Sequence, residues 1–308
     1  MRDAFVARLL ERATADPRIM LITADLGFGV LTRFAEALPR QYLNVGVAEQ
    51  NLAAVATGMA LEGHVVFTYS IGNFPTLRCL EQLRNDACYH GAAVKSVAIG
   101  GGFSYGPLGF SHFATEDLAI LRALPGMTVV APGDLWEAEE SVDALIAAPG
   151  PAYLRLDKSS AGRTNAAGEG FALGRSRRVR DGGDVTLVAC GGILGDAVAA
   201  ADALAGEGLR CRVLSMHTLT PVDGAGLAAA CAETGGLVTI EEHVVSGGLG
   251  GAVAEHCLEH GLRPRAFARL GLRGEFATTV GGQAYLRDVY GMGRTAIMAA
   301  ARDIAARK

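Results

Sequence analysis

Strand-like and helix-like runs alternate along this chain, break off once, and then resume. Short apolar runs read as strands at 19–27, 42–49, 64–70, 94–102, 127–132 and 151–156. Helical patterns fill 32–40, 49–62, 75–89, 118–124 and 134–148 between them. Parallel strands need a crossover, and the crossover must bury its apolar side on the sheet, so this alternation implies a mostly parallel sheet covered on both faces. Residues 157–183, "DKSSAGRTNAAGEGFALGRSRRVRDGG", lose the period and are rich in Gly, Ser and Arg, as an interdomain crossing would be. Strands at 184–192, 210–219, 236–243 and 265–272 then alternate with helices at 193–208, 224–235 and 250–261. The expectation is α/β throughout: a domain over 1–160, a linker over 161–182 and a smaller domain over 183–308, as two separate open sheets. At 308 residues the chain is long enough for two cores.

Composition narrows the partners. Half of the residues are hydrophobic and the net charge is -4, so neither nucleic acid nor an anionic membrane is favoured electrostatically. No run approaches the ~18 apolar residues of a membrane span. The N-terminus is amphipathic but charged throughout and lacks the pattern of a secretory signal. The six cysteines show no CxxC spacing and sit largely in apolar runs, which implies free thiols in a reducing compartment, the cytoplasm. No compact metal-ligand set is visible.

Open parallel sheets bind ligands beyond the carboxyl ends of their strands. Asp25, Glu49, the segment 69–74, glycines 100–102, Arg155 and His243 all fall at such ends. Turn residues also collect there for structural reasons. Glu49, in "NVGVAEQN", ends a strand-like run where a helix begins. It reads either as an acid favouring the positive end of the helix dipole or as a buried acid kept for chemistry. The run "GGLGGA" lacks the spacing and downstream acid of a dinucleotide loop.

The ordered set "LITADLG", "NVGVAEQN", "FTYSIGNF", "GPLGFSHFATED", "GPAYLRL", "GDVTLVACGG" and "GLVTIEEHVVSGGLGG" resembles the C-terminal half of transketolase over nearly the whole chain. The resemblance implies a pyrimidine-binding domain for thiamine diphosphate followed by a transketolase C-terminal domain. It makes Glu49 the acid that contacts N1′ of the cofactor's aminopyrimidine, in an apolar pocket that would raise its pKa. A carboxyl sharing that proton gives access to the imino form that deprotonates the thiazolium C2. Phe74 matches the aromatic wall of the pyrimidine, with Tyr69 as a substitute and Ile71 where a second aromatic often sits. Asp25 matches an acid near the cofactor. His112 matches a substrate-facing histidine able to exchange a proton with a carbonyl or hydroxyl; the rival reading is a loop histidine that caps the helix that follows. Arg155 matches an arginine that pairs with a substrate phosphate. His243 is similar to a histidine near the site entrance, or is structural.

Two departures from the family pattern matter. Sugar-phosphate transketolases carry a histidine where this chain has Gly100 and an aspartate where it has Leu108, so the usual reading of sugar hydroxyls is missing. The GDG and Asn motif that holds the diphosphate through Mg2+ or Ca2+ is also missing, so an N-terminal partner subunit is expected to supply it. The expectation is the C-terminal subunit of a split transketolase, an α2β2 heterotetramer, moving a short carbon fragment from a ketose-type donor to an aldehyde. The alternatives are the beta subunit of a 2-oxo acid dehydrogenase or decarboxylase, suggested by "IGGGFSYGPLG", and a non-catalytic assembly subunit.

Overall fold

A computed structural model describes residues 1–158 and 162–307; the expected boundary between 160 and 161 lies outside the described residues. The strands are β1 (Ile19–Thr23), β2 (Tyr42–Asn44), β3 (Val65–Ile71), β4 (Val94–Ile99), β5 (Thr128–Val130), β6 (Ala152–Leu156), β7 (Arg177–Arg180), β8 (Val185–Ala189), β9 (Cys211–Ser215), β10 (Thr218–Thr220), β11 (Leu237–Val244) and β12 (Phe267–Leu272). The first sheet has the order β10-β5-β6-β4-β3-β1-β2 and the second β12-β11-β8-β9-β7. Both are parallel except at one edge each, where β10 and β7 run antiparallel to their neighbours.

The central strands β1, β4, β6, β8 and β9 are buried along their whole length, as strands covered on both faces must be. On one face of the first sheet, helices Arg2–Ala15 and Leu135–Ala147 bring Phe5, Leu9, Val142 and Leu145 onto Phe67, Val97 and Leu154. On the other, helix Glu49–Leu61 sets Leu52 and Ala56 against Met20, Ile22 and Val66. That second packing fixes the start of the helix, and Glu49 with it, at the carboxyl edge of the sheet.

The structure departs from the sequence expectation in three places. The chain forms two open sheets as expected, but the second half contributes one strand to the first sheet. Residues 210–219 do not form one strand: Met216 and His217 carry the chain out of β9, and Thr218–Thr220 then pairs with β5 of the first sheet. Next, Arg177–Arg180, expected within the linker, is the antiparallel edge of the second sheet. Finally, the helix expected over 75–89 is three short pieces, Phe74–Leu77, Leu80–Gln82 and a π-turn at Leu83–Cys88.

The halves share a core. Leu118, Leu121, Met127 and Tyr153 of the first pack with Val188, Cys190, Leu214 and Leu249 of the second in one apolar cluster. Arg177 adds a polar tie: it donates to Glu137 (2.6 Å) and Glu169 (2.7 Å), and its guanidinium lies 4.5 Å from the ring of Trp136.

Candidate active site

At the carboxyl edge of the first sheet, the ends of β1 and β2 are tied by one residue from each side. The side chain of Asn44 accepts from the backbone N–H of Asp25 (2.9 Å) and donates to its carboxylate (3.1 Å). This holds Asp25 at φ +56°, a left-handed conformation that Asp tolerates better than most residues. Asp25 is thus a half-buried brace between the two strand ends.

Glu49 opens its helix as a buried residue, 5 % exposed, and its Oε1 accepts from Nη1 of Arg78 at 3.0 Å. The surroundings are therefore not purely apolar, as the sequence suggested: a guanidinium half open to solvent covers the acid. The same guanidinium lies 4.0 Å from the ring centre of Phe74. Phe74 and His112 meet edge to face at 5.6 Å, and His112 meets Tyr105 at 6.2 Å. The Lys158 ammonium lies 5.6 Å from the Tyr105 ring. One continuous wall thus runs Glu49, Arg78, Phe74, His112, Tyr105, Lys158. Beyond it a cleft of about 500 Å³ is lined by Gly100, Ser104, Tyr105, Asp157, Lys158 and Arg2, among others.

Glu49, Phe74 and His112 are the sequence candidates that this wall brings together. Arg78, Tyr105 and Lys158 were missed. Arg78 carried a signal: it lies four residues after Phe74, the spacing that puts two side chains on one helical face. Tyr105 explains Gly100. Gly100 has φ +91°, and a Cβ there would stand 2.1 Å from the Tyr105 ring, so the aromatic ring fills the space that a side chain at 100 would need. Leu108 is 56 % exposed on a turn.

Four candidates lie elsewhere. Tyr69 is buried in the apolar cluster with Phe5, Phe34 and Phe67, on the opposite sheet face from the Glu49 helix; its neighbours in β3, Val66 and Phe67, divide between the two faces in the same way. Burial pushes its phenol pKa up. Ile71 is half-buried at the end of β3.

Arg155 does not face a cleft. It is enclosed between the halves, donating to the carbonyls of Ala114 (3.3 Å) and Glu242 (2.8 Å), with Nε 3.4 Å from Asp117. Burial opposes its charge, but the Asp117 and Asp157 carboxylates prevail and raise its pKa. Tyr153 donates to the same Asp117 at 2.6 Å. His243 is likewise fully buried, not at an entrance. Its Nδ1–H donates to the Val244 carbonyl (2.7 Å), and Nε2 accepts from the Ala119 N–H (3.3 Å), which fixes the neutral tautomer. Burial lowers its pKa to about 4. The resemblance implied a ligand for Arg155, and for His243 either a place near the entrance or a structural role; here the second half of the chain covers both. The "GGLGGA" helix start is also filled from within, since Leu249 and Gly250 donate to the Glu241 carboxylate at 2.6 and 2.8 Å. Burial raises Glu241 to about 7.

Among the described residues, no group of three or more His, Cys, Asp or Glu could hold a metal ion, and no helix is long and apolar enough to cross a membrane.

Comparison with known proteins matches residues 1–163 to the transketolase pyrimidine binding domain and 174–297 to the transketolase C-terminal domain. The chain is 37% identical to the 6-deoxy-6-sulfo-D-fructose transketolase subunit of Clostridium sp. (strain MSTE9), covering 100% of this chain and 95% of the relative. It is 36% identical to an apulose-4-phosphate transketolase subunit of Phocaeicola vulgatus, covering 84% of each. Among solved structures, a split gene transketolase described as an inactive beta4 tetramer superposes with a TM-score of 0.89 at 35% identity, covering 100% of this chain and 98% of that one. These relatives favour the transketolase reading over a 2-oxo acid dehydrogenase subunit or a non-catalytic one. The chain belongs to the transketolase family, in the group whose pyrimidine-binding and C-terminal domains form one subunit of a split transketolase.

Proposed function

We propose that this chain forms the pyrimidine side of a thiamine diphosphate site, and that with an N-terminal partner it transfers a carbon fragment from a ketose bearing an anionic group to an aldehyde. The observation that carries the cofactor assignment is the pairing of a buried carboxylate with an aromatic face. A flat, N–H-donating guanidinium already satisfies both, so an aminopyrimidine of similar shape fits the same two partners. When bound, the cofactor supplies a nucleophilic carbon and an electron sink for cleavage of the bond beside the donor carbonyl. Glu49 holds and shares the proton at N1′ of the pyrimidine. Phe74 fixes the plane of that ring. His112, edge-on to Phe74, exchanges a proton with a donor or acceptor oxygen. Asp25 keeps the adjoining strand ends in register.

The anionic end of the donor is assigned to Lys158 and Arg2, the cations of the cleft, in place of the enclosed Arg155. The names of the two relatives, which carry a sulfo and a phosphate group, support an anionic donor. Gly100 and Leu108 supply no hydrogen bonds to sugar hydroxyls, which favours a donor less hydroxylated than xylulose 5-phosphate, or with its hydroxyls placed differently. The diphosphate and its Mg2+ or Ca2+ belong to the partner, in an α2β2 assembly working in the reducing cytoplasm; all six cysteines here are free.

A donor panel tests this reading. The chain, co-expressed with a partner carrying the GDG and Asn motif, should give its highest kcat/KM with a sulfonated or phosphorylated ketose other than xylulose 5-phosphate. A preference for xylulose 5-phosphate would refute the reading of Gly100 and Leu108, and stoichiometric release of carbon dioxide from a 2-oxo acid would refute the transferase assignment.

A further inference from the structure

The guanidinium of Arg78 sits where two recognition elements converge. It donates to Glu49 at 3.0 Å and lies on the Phe74 ring at 4.0 Å. A planar group stacked on an aromatic face, with an N–H aimed at a buried carboxylate, has the outline of the aminopyrimidine assigned to this seat. Both groups cannot occupy it together. The acid is 6 % exposed by its side chain, whereas Arg78 is 51 % exposed and closes a shallow hollow lined by Val47, Ala48, Gln50 and Asn51. Arg78 is therefore the side chain with open solvent to move into, at the end of a helix only four residues long.

We propose that Arg78 is a self-supplied stand-in for the pyrimidine: it occupies the seat in the free subunit, keeps the buried acid paired, and must swing out before the cofactor's ring can enter. This rests on the pyrimidine-seat reading above. A ligand that needs the open state binds with an affinity reduced by the fraction of open molecules. An ion pair with one buried partner, reinforced by stacking on a ring, keeps that fraction small. Removing the side chain should then tighten binding on the order of tenfold, the reduction a seat open about a tenth of the time would impose.

The test uses the full-length chain and thiamine itself, which lacks the diphosphate and so does not depend on ligands from a partner. Ligand-observed NMR titration gives its Kd for the parent, Arg78→Ala and Arg78→Lys, with thermal melts confirming that each is folded. Arg78→Ala should bind thiamine roughly tenfold more tightly than the parent, and Arg78→Lys, which keeps the charge and loses the flat stacking face, should fall between them. Equal or weaker binding to Arg78→Ala, including none, overturns the proposal. Adding Glu49→Ala to Arg78→Ala separates the two levels. If that change abolishes binding while Arg78→Ala is no tighter than the parent, the seat stands and the stand-in falls. If Glu49→Ala leaves thiamine binding untouched, the seat reading falls and takes the stand-in with it.

Discussion

The residues of this site divide by whether their role can be seen along the chain. Glu49 stands where an apolar run meets a helix, a place where an acid suits the helix dipole as well as chemistry, so the family resemblance and not its neighbourhood singled it out. Arg78 could not be picked out, because its partner is 29 residues away and only the fold brings them to 3.0 Å. Arg155 and His243 were placed correctly at strand ends, but the enclosure of Arg155 and the choice between the two readings left open for His243 could not be seen, since nothing in their neighbourhood announces that the second half of the chain seals them in. The seal makes His243 a pH-sensitive structural residue. Its folded pKa of about 4 lies below its ordinary value of 6.5, so the unfolded chain takes up the proton first. Its stabilising contribution is complete above pH 6.5 and drains away as the pH falls toward 4. Glu241, 3.6 Å away and raised from 4.5 to about 7, acts in the opposite sense: its contribution is complete below 4.5 and is lost as the pH rises through 7. His243→Asn should thus lose less stability than the parent between pH 7 and pH 5, by about 1–2 kcal/mol in urea unfolding. An unchanged difference between the two pH values would remove His243 from the account.

The elements of the sheets were legible wherever strands are buried on both faces, because such strands read as mostly apolar runs, even with Lys95, Arg155 or Arg212 inside them. β10 was not. It follows β9 after two residues and continues the same apolar run, so only the edge it pairs with tells it apart. β7 was hidden by its composition, "RRVR", whose charges serve the edge of a sheet and a tie to the other half. Arg177 in that strand reaches Glu137 and Glu169 and stacks over Trp136, the sole tryptophan of the chain. Removing one partner of a buried ionic cluster leaves the other charges uncompensated, at a cost of about 3–5 kcal/mol. Arg177→Ala should lower the urea midpoint accordingly and shift the Trp136 fluorescence to the red as water reaches the indole. A destabilised variant with an unshifted emission maximum would mean that the cation does not cover this ring.

At the scale of the whole molecule, the chain presents a built acid and aromatic wall at an edge left open. Large apolar side chains flank the candidate residues in sequence: Phe28 after Asp25 and Val47 before Glu49 are 79 % and 76 % exposed, and Leu77 before Arg78 is exposed as well. Exposed apolar groups around a polar site are what a partner subunit would cover. The claim on which the rest depends is that Glu49 shares a proton with the cofactor and does not act on the substrate. The direct measurement is hydrogen–deuterium exchange at C2 of thiamine diphosphate bound to the two-subunit enzyme, comparing the parent with Glu49→Gln, which keeps a hydrogen bond but cannot share the proton. Exchange should be at least ~10²-fold slower in the variant, the usual scale for losing a positioned proton-transfer group, with cofactor affinity changed far less. Exchange as fast in Glu49→Gln as in the parent would contradict the claim.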